Sequence, residues 1–506
     1  MSTTELAQRL EKAEAELATY REQVATLSSA NKELRQRIDE LCRKLYGKRS
    51  EQVDPAQLAL AFAELEREQP VAEVPAEDGE EADSGEPVVA KKRRGHGRRP
   101  PGKDVPRERI EYRPAAEDCV CASCHVDKVV IGEESSQQYD YVPATLRVLV
   151  HARLKMACPK CKEGVVVAPV AEKVVDKGLA SAGMIAHVIV SKSADHIPLY
   201  RQSHILAREG VDLSDSTLLA FFNQGASLLE PIAKAVFAMI LERAFLHADE
   251  TPVTMRLLPS GTKTAYIWTY TDRLQVGYRF TTGRGAEGPL AVLGSYGGYV
   301  HRDAYVGYDA AARKGGSIYV ACWAHARRGF IEAMKAGDVA AARMIALIAL
   351  LYAVEAEAKD FDDDRRKALR QAKSVPLLLR IEEEAEAQRK TALPKSPLGE
   401  ALTYLRNQWA GLRRYLEHGM LGIDNNFAER AIKPVALGRR NWMVCASEDG
   451  GHRAAVCYTL VNSCKLQGVN PFTYLKDVLE RVGSHPMSRV RELTPLCWKA
   501  ARDAAL

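Results

Sequence analysis

From Phe245 onward the chain changes texture, and this change restricts its fold more than any other feature. Residues 245–253 read as a short strand carrying two acids, Asp249 and Glu250. Strand side chains alternate between faces, so only one of the two points with the inward set. Residues 265–270 and 275–280 read as two more strands joined by a Thr-Asp-Arg turn. A helix over 288–296 follows, then a strand over 299–305 with Asp303 near its end, and a fifth strand over 318–324. Three strands in hairpins followed by alternating helix and strand describe a mixed α/β sheet covered by helices.

This order resembles the ribonuclease-H-like core of polynucleotidyl transferases. The likeness implies one Asp on the first strand, a second on the fourth and a third acid on a later helix. Asp249 and Asp303 fit the first two places. Hard divalent cations need oxygen ligands, and two of them bridging a phosphate can activate the attacking oxygen and stabilise the leaving one. The third acid lies beyond a strongly helical stretch, 334–421, which reads as an insertion. Past it, Asp424 is a natural N-cap, and Asn425, Glu429 and Lys433 then fall four apart on one helix face. A carboxylate flanked by an amide and a cation suits a metal held beside DNA. Taken alone, the same stretch reads rather as a solvated helix with routine charge pairs.

The N-terminal segment carries a different period. Apolar residues recur at steps of four and three from Leu6 to Leu45, nearly six heptads, which describes a coiled coil. With Leu10 at a, Leu6, Leu27, Leu34 and Leu41 take d and the polar Asn31 takes a. One buried Asn among d-position leucines favours a parallel dimer. A long helix folded back on its own domain is the alternative.

Charge then changes sign abruptly. Residues 68–90 hold eight acids and no base, whereas 91–109 hold nine bases and two acids. The net charge of +5 over 506 residues hides this contrast. The Pro-, Gly- and Glu-rich stretch 69–102 reads as a linker with little to bury. Its end interleaves Lys91, Lys92, Arg93, Arg94, Arg98 and Arg99 with glycines, a slim cationic arm suited to a minor groove or simply to solvent. Beyond it, Cys121-x-x-Cys124 and Cys158-x-x-Cys161 form two knuckles that suit one structural zinc ion. Cys119 and His125 are spare candidate ligands. Cys445, Cys457, Cys464 and Cys497 sit in apolar surroundings without ligand spacing and read as core residues.

A helical tract spans 180–246. Residues 198–206 form an amphipathic piece ended by Gly210, and Ser214 caps a second helix beginning near Thr217. These are the parts of a helix-turn-helix, and equally of two packed core helices. The longest uncharged apolar run, 344–354, is 11 residues, well under the roughly 20 needed to cross a bilayer. No secretory leader is read at the N-terminus, so a cytoplasmic, non-membrane protein is expected.

Together these motifs are similar to those of the transposases of the insertion sequence 66 family. The resemblance rests on 45–51 (LYGKRSE), the paired CxxC module with 141–144 (YVPA) inside it, 196–202 (HIPLYRQ), 247–252 (HADETP), 322–328 (CWAHARR) and the run from Asp424 through Glu429 to Trp442. It implies a catalytic triad of Asp249, Asp303 and Glu429 holding two Mg²⁺ or Mn²⁺ ions, with the helical insertion before Glu429. It also implies assistance from a Cys-x-x-His, matched by Cys322 and His325. The implied chemistry is hydrolysis at element ends, exposing a 3′-hydroxyl that attacks target DNA. The region around Asp303 reads HRDAY where an Asp-Gly step is expected. His325 could orient a phosphate or donate a proton, or be a satisfied structural histidine. Arg201, Arg327, Arg328, Asn425, Arg430, Lys433, Arg439 and Arg440 are candidate DNA contacts.

The expected organisation is a coiled-coil dimerisation helix (1–50), a linker with the basic arm (51–110), a zinc-binding module (111–172) and a helical DNA-binding region (173–244). A ribonuclease-H-like core (245–333 and 422–466), its insertion (334–421) and a C-terminal region (467–506) complete it. Double-stranded DNA, a second copy of the chain and small accessory proteins of the same element are the expected partners. A non-catalytic DNA-binding regulator and a structure-selective nuclease are the competing readings.

Overall fold

A computed structural model of the chain describes residues 146–156, 166–168, 174–175, 178–257 and 259–504. The heptad segment, the basic arm and the four expected zinc ligands lie outside the described residues. From residue 151 onward the described elements belong to one compact unit.

Three helices lead into the sheet. Helix α1 (Ala182–Ser193) starts where the Ser181 hydroxyl accepts the Met184 N–H. Helix α2 (Leu199–Arg208) follows Pro198, and the chain reverses through Gly210 at φ +84°, a left-handed conformation glycine adopts without strain. The Ser214 hydroxyl accepts the Thr217 N–H and opens α3 (Asp215–Leu241), so the turn and cap read from the sequence are present. Helix α3 is 27 residues long and buries Leu218, Phe222, Leu229, Ile232, Val236 and Ile240 almost completely. Its Gly225 meets Ile185 and Ile189, where an added Cβ would lie 2.5 Å from Ile185. Among the described residues it is the one helix long and apolar enough to cross a membrane, and half of its most apolar window is buried in protein. That burial is what a core helix requires.

The sheet has five strands: β1 (Phe245–Arg256), β2 (Thr262–Thr271), β3 (Val276–Thr281), β4 (Tyr299–His301) and β5 (Ile318–Val320), in the order β3-β2-β1-β4-β5. Strands β1, β2 and β3 are antiparallel neighbours, while β4 and β5 run parallel to β1. The mixed α/β sheet is therefore as the sequence predicts, with two shifts. Strand β4 ends at His301, leaving Asp303 in the loop beyond it, and β5 ends at Val320 because Trp323 already begins a helix. The edge strand β3 does not stand open. Val276 and Tyr278 donate their N–H groups to Ser463 Oγ and Thr459 Oγ1 of a covering helix (Glu448–Leu466), which blunts an edge that would otherwise template aggregation.

Helix α4 (Glu287–Leu293) and helix α5 (Asp309–Gly315) connect the strands. Helices α6 (Trp323–Lys335), α7 (Ala341–Glu357), α8 (Asp363–Leu369), α9 (Val375–Arg389) and α10 (Pro397–Arg413) follow, and α6, α7, α9 and α10 share one apolar cluster with the end of β5. The boundary read at 333/334 thus falls inside α6. Helix α11 (Asn426–Trp442) returns to the sheet, and α12 (Glu448–Leu466) covers β3. Cys457 and Cys464 are buried on α12, and Cys445 and Cys497 are half-buried, in keeping with core roles.

A candidate carboxylate site at the parallel strand ends

Strand β4 pairs with β1 only as far as His301 opposite His247. Beyond that level, among the described residues, one edge of β1 has no strand partner until Met255 bridges to Cys445. Asp249 lies in this gap. The β1–β4 register ends with 247 opposite 301, and Asp303, two residues further on in the loop, is near enough for its charge to act on Asp249.

Asp249 Oδ1 accepts the Glu250 N–H at 2.9 Å. Burial, then the negative charges of Glu250, Asp303 and Glu429, push its carboxyl up to about 8. Asp303 Oδ1 accepts the Tyr305 N–H at 3.0 Å, which fixes the loop after β4. As alternation predicts, Glu250 is engaged elsewhere: Arg284 donates twice to its Oε1, and Tyr308 donates to its Oε2 at 2.9 Å.

Glu429 stands in the first turn of α11, and its Oε1 lies 3.9 Å from His325 Nε2. Cys322 precedes α6, placing its thiol and the His325 ring beside Glu429; ligand atoms of the three lie within 4.8 Å of one another. Glu429 Oε1 and His325 Nδ1 are buried without a hydrogen-bond partner. Burial outweighs the Glu429 charge and lowers the His325 pKa, so the ring is neutral near pH 7.

Asn425 ties these elements together. Its Nδ2 donates to Ala248 O at 2.9 Å, its Oδ1 meets His247 Nδ1 at 3.0 Å, and its backbone N–H points at Cys322 Sγ at 3.2 Å. Arg273 Nε donates to His247 Nε2, so the imidazole proton sits on Nδ1 and faces Asn425. Burial, reinforced by the Arg273 charge, holds His247 neutral with a pKa of about 3. Arg273 itself is clamped between the rings of Phe245 and Phe427 at 4.5 and 4.8 Å. The expectation of a DNA contact at Asn425 is therefore corrected: the side chain is fully buried and bonded inside the protein. Asn425→Ala is expected to cost about 1–3 kcal/mol in denaturant unfolding, because His247 and the Ala248 carbonyl lose partners together.

The other candidates divide by exposure. Arg201, Arg328, Arg430, Lys433 and Arg440 are exposed. Arg327 is 8% exposed, which corrects its reading as an open phosphate contact. Arg439 is half-buried and donates to Thr251 Oγ1 at 2.8 Å, bracing α11 against β1. Asp424 does not take the N-cap place read for it: Asn425 does, without a side-chain cap bond, while Asp424 Oδ1 accepts the Asn426 N–H at 3.1 Å in a turn just before α11.

The sequence reading missed a buried pair. His247 and His301 stack at 4.6 Å on adjacent strands, each two residues before an acid. The repeated His-x-Asp spacing carried that signal, since period two puts both members on one face. Arg273 gave no such signal, because it acts from a turn at φ +74°.

Fold and site define a helix-covered mixed sheet with Asp249 on β1, Asp303 just past β4 and Glu429 in the first turn of α11. The chain belongs to the transposase IS66 family, whose model matches residues 177–453. Further family models match 459–496 (IS66 C-terminal element), 118–162 (zinc-finger binding domain of transposase IS66) and 33–110 (Transposase C of IS166 homeodomain). The protein is thus a transposase by family, and the zinc-finger match encloses Cys121, Cys124, Cys158 and Cys161 and supports a zinc ion. It is also similar to three uncharacterised proteins of Sinorhizobium fredii. Protein y4jD is 33% identical over 94% of this chain and 96% of its own length; y4hP is 32% identical over 93% and 89%. Protein y4qI is 33% identical over 97% and 94%.

Proposed function

We propose that the chain binds the terminal repeats of its element, cleaves the ends by metal-assisted hydrolysis and joins the 3′-hydroxyl to target DNA. The strand order β3-β2-β1-β4-β5, with its antiparallel and parallel halves, supports a ribonuclease-H-like core. The observation that carries the reading is the Asp249 carboxyl, pushed to about 8 by burial and by acids that include Asp303 and Glu429. Acids whose charges act on one another repel, and a divalent cation relieves that repulsion. Glu429 Oε1, buried without a partner, fits the same demand. Asp249, Asp303 and Glu429 would hold two Mg²⁺ or Mn²⁺ ions. Such ions supply Lewis acidity to the scissile phosphate.

The chain's own residues supply position. Asn425 and His247 hold α11 against β1 and so fix Glu429 relative to Asp249. Neutral His325 is suited to orienting a phosphate or accepting a proton, rather than entering the reaction as an acid. Exposed Arg201, Arg328, Arg430, Lys433 and Arg440, with the basic arm at 91–99, are assigned to phosphate contacts. A parallel coiled coil at 1–50 would pair two copies, and four cysteine thiolates would close the zinc module. The chemistry of that donor set, two CxxC pairs, suits a tetrahedral structural ion.

Purified full-length protein incubated with labelled element ends, a target duplex and Mg²⁺ tests this on a gel. Nicked ends and end–target joints are expected. Cleavage without joining would make the chain a nuclease, and no Mg²⁺-dependent cleavage would leave a DNA-binding regulator.

A further inference from the structure

Among the described residues, the three metal-ligating side chains whose ligand atoms approach within 4.8 Å are not the three acids but Cys322, His325 and Glu429. They are a thiol, an imidazole and a carboxylate, a softer donor set than the oxygen-only pair Asp249 and Asp303. We propose that they form a second cation site that takes zinc(II), and that zinc held there inhibits the protein by withdrawing Glu429 from the Mg²⁺ site. The inhibitory half rests on the function proposed above; the binding half does not.

Several observations carry the site. Cys322 is the extended N-cap residue of α6 and His325 the third residue of the helix, and their ligand atoms lie within 4.8 Å of each other. The His325 Nε2 to Glu429 Oε1 separation of 3.9 Å exceeds by well under 1 Å the roughly 3.3 Å expected between nitrogen and oxygen ligands on one zinc ion. His325 Nδ1 and Glu429 Oε1 are both buried without hydrogen-bond partners, a cost that a bound cation removes from the carboxylate directly. The Asn425 N–H already points at Cys322 Sγ at 3.2 Å, the kind of outer contact that steadies a metal-bound thiolate. Cys322 is fully buried, and burial pushes its thiol up to about 12, so zinc bound there must displace the thiol proton. Sulfur and nitrogen ligands favour zinc over magnesium, and three protein ligands leave one position open. Glu429 belongs to both sites, and it cannot serve a soft ion and the carboxylate pair equally well.

Cobalt(II) reports the site without reference to activity. Full-length protein with its zinc-finger module loaded with zinc is titrated with Co²⁺ and followed by absorbance. One further equivalent with a sulfur-to-cobalt charge-transfer band is expected. That band should vanish in Cys322→Ser and in His325→Ala and persist in Asp249→Asn. His325 is half-buried, so its variant serves even if the buried cysteine change perturbs folding. A parent without the extra sulfur band, or a band that survives in Cys322→Ser, overturns the site. In the second arm, micromolar zinc is added to Mg²⁺-driven end cleavage. At least a tenfold loss is expected for the parent and none for Cys322→Ser relative to its own zinc-free rate. Equal sensitivity of the two, or indifference of the parent, overturns the inhibition. Failure of all cleavage would defeat the proposed transposase chemistry while leaving the cobalt result to stand by itself.

Discussion

Asp249→Asn is expected to abolish end cleavage, by roughly a thousandfold, and yet to raise the stability of the metal-free protein at pH 8 and above. Both effects come from one cause. In the folded protein, burial and neighbouring acids push the Asp249 carboxyl up to about 8, against an ordinary value of 3.8. A folded-state pKa above the unfolded one means that the folded state binds the proton more tightly. Stability is therefore highest with the carboxyl protonated and falls as pH rises from about 4 to about 8. Above pH 8 the penalty is complete and amounts to a few kcal/mol. Asparagine resembles the protonated acid and escapes that loss. Thermal melts of parent and variant in chelator should diverge across this window, with the variant higher at pH 8 and the two close together at pH 4. Mg²⁺ should raise the parent's melting temperature and leave the variant's nearly unmoved. Asp303→Asn and Glu429→Gln should lose cleavage as Asp249→Asn does.

Arg370→Met should be the most destabilising single change in the helical insertion. Arg370 is 1% exposed and stands in a short π-helical turn, Arg370–Ser374, an irregularity often kept for a specific placement. Its guanidinium donates to both oxygens of Glu355 at 2.7 Å and to the carbonyls of Tyr415, His418 and Leu421. Glu355 lies on α7, whereas the three carbonyls belong to the chain that runs from α10 toward Asp424 and α11. One side chain thus fastens the insertion to the segment that delivers Glu429. Methionine would leave a carboxylate and three carbonyls without their donor, at a cost of about 3–5 kcal/mol. Denaturant unfolding measures this directly. The double variant Glu355→Met with Arg370→Met should recover part of the loss, because the stranded charge goes too. A single variant within 1 kcal/mol of the parent would mean that water replaces the guanidinium without difficulty.

Strand alternation in the sequence foretold the sheet and the separation of Asp249 from Glu250, because period two is a local property. Helix caps at Ser214 and the reversal at Gly210 were legible for the same reason. The length of β4 was not. Its last pair is His301 with His247, and whether Asp303 continues the ladder depends on the Arg302 guanidinium, which bonds the Asp303 and Tyr305 carbonyls and Asp309 and turns the chain away. Asn425 and Arg327 were misread as surface groups, since polarity and a position near basic residues do not reveal burial. The Asn425–His247–Arg273 chain joins positions 178 and 26 residues apart, and no local period encodes such a meeting. The spacing of Glu429 from Asn425 and Lys433 marks it as a candidate, but that spacing alone does not separate it from a charged surface helix, and the family resemblance makes the choice.

In the proposed mechanism Asp249, Asp303 and Glu429 act on a common pair of cations. Electron paramagnetic resonance of Mn²⁺ binding to the full chain tests it most directly, with the zinc module filled and end DNA present at pH 8. Two Mn²⁺ bound per chain beyond the zinc are expected, with at least one lost in each of Asp249→Asn, Asp303→Asn and Glu429→Gln. Identical Mn²⁺ stoichiometry and affinity in the parent and all three variants would contradict it.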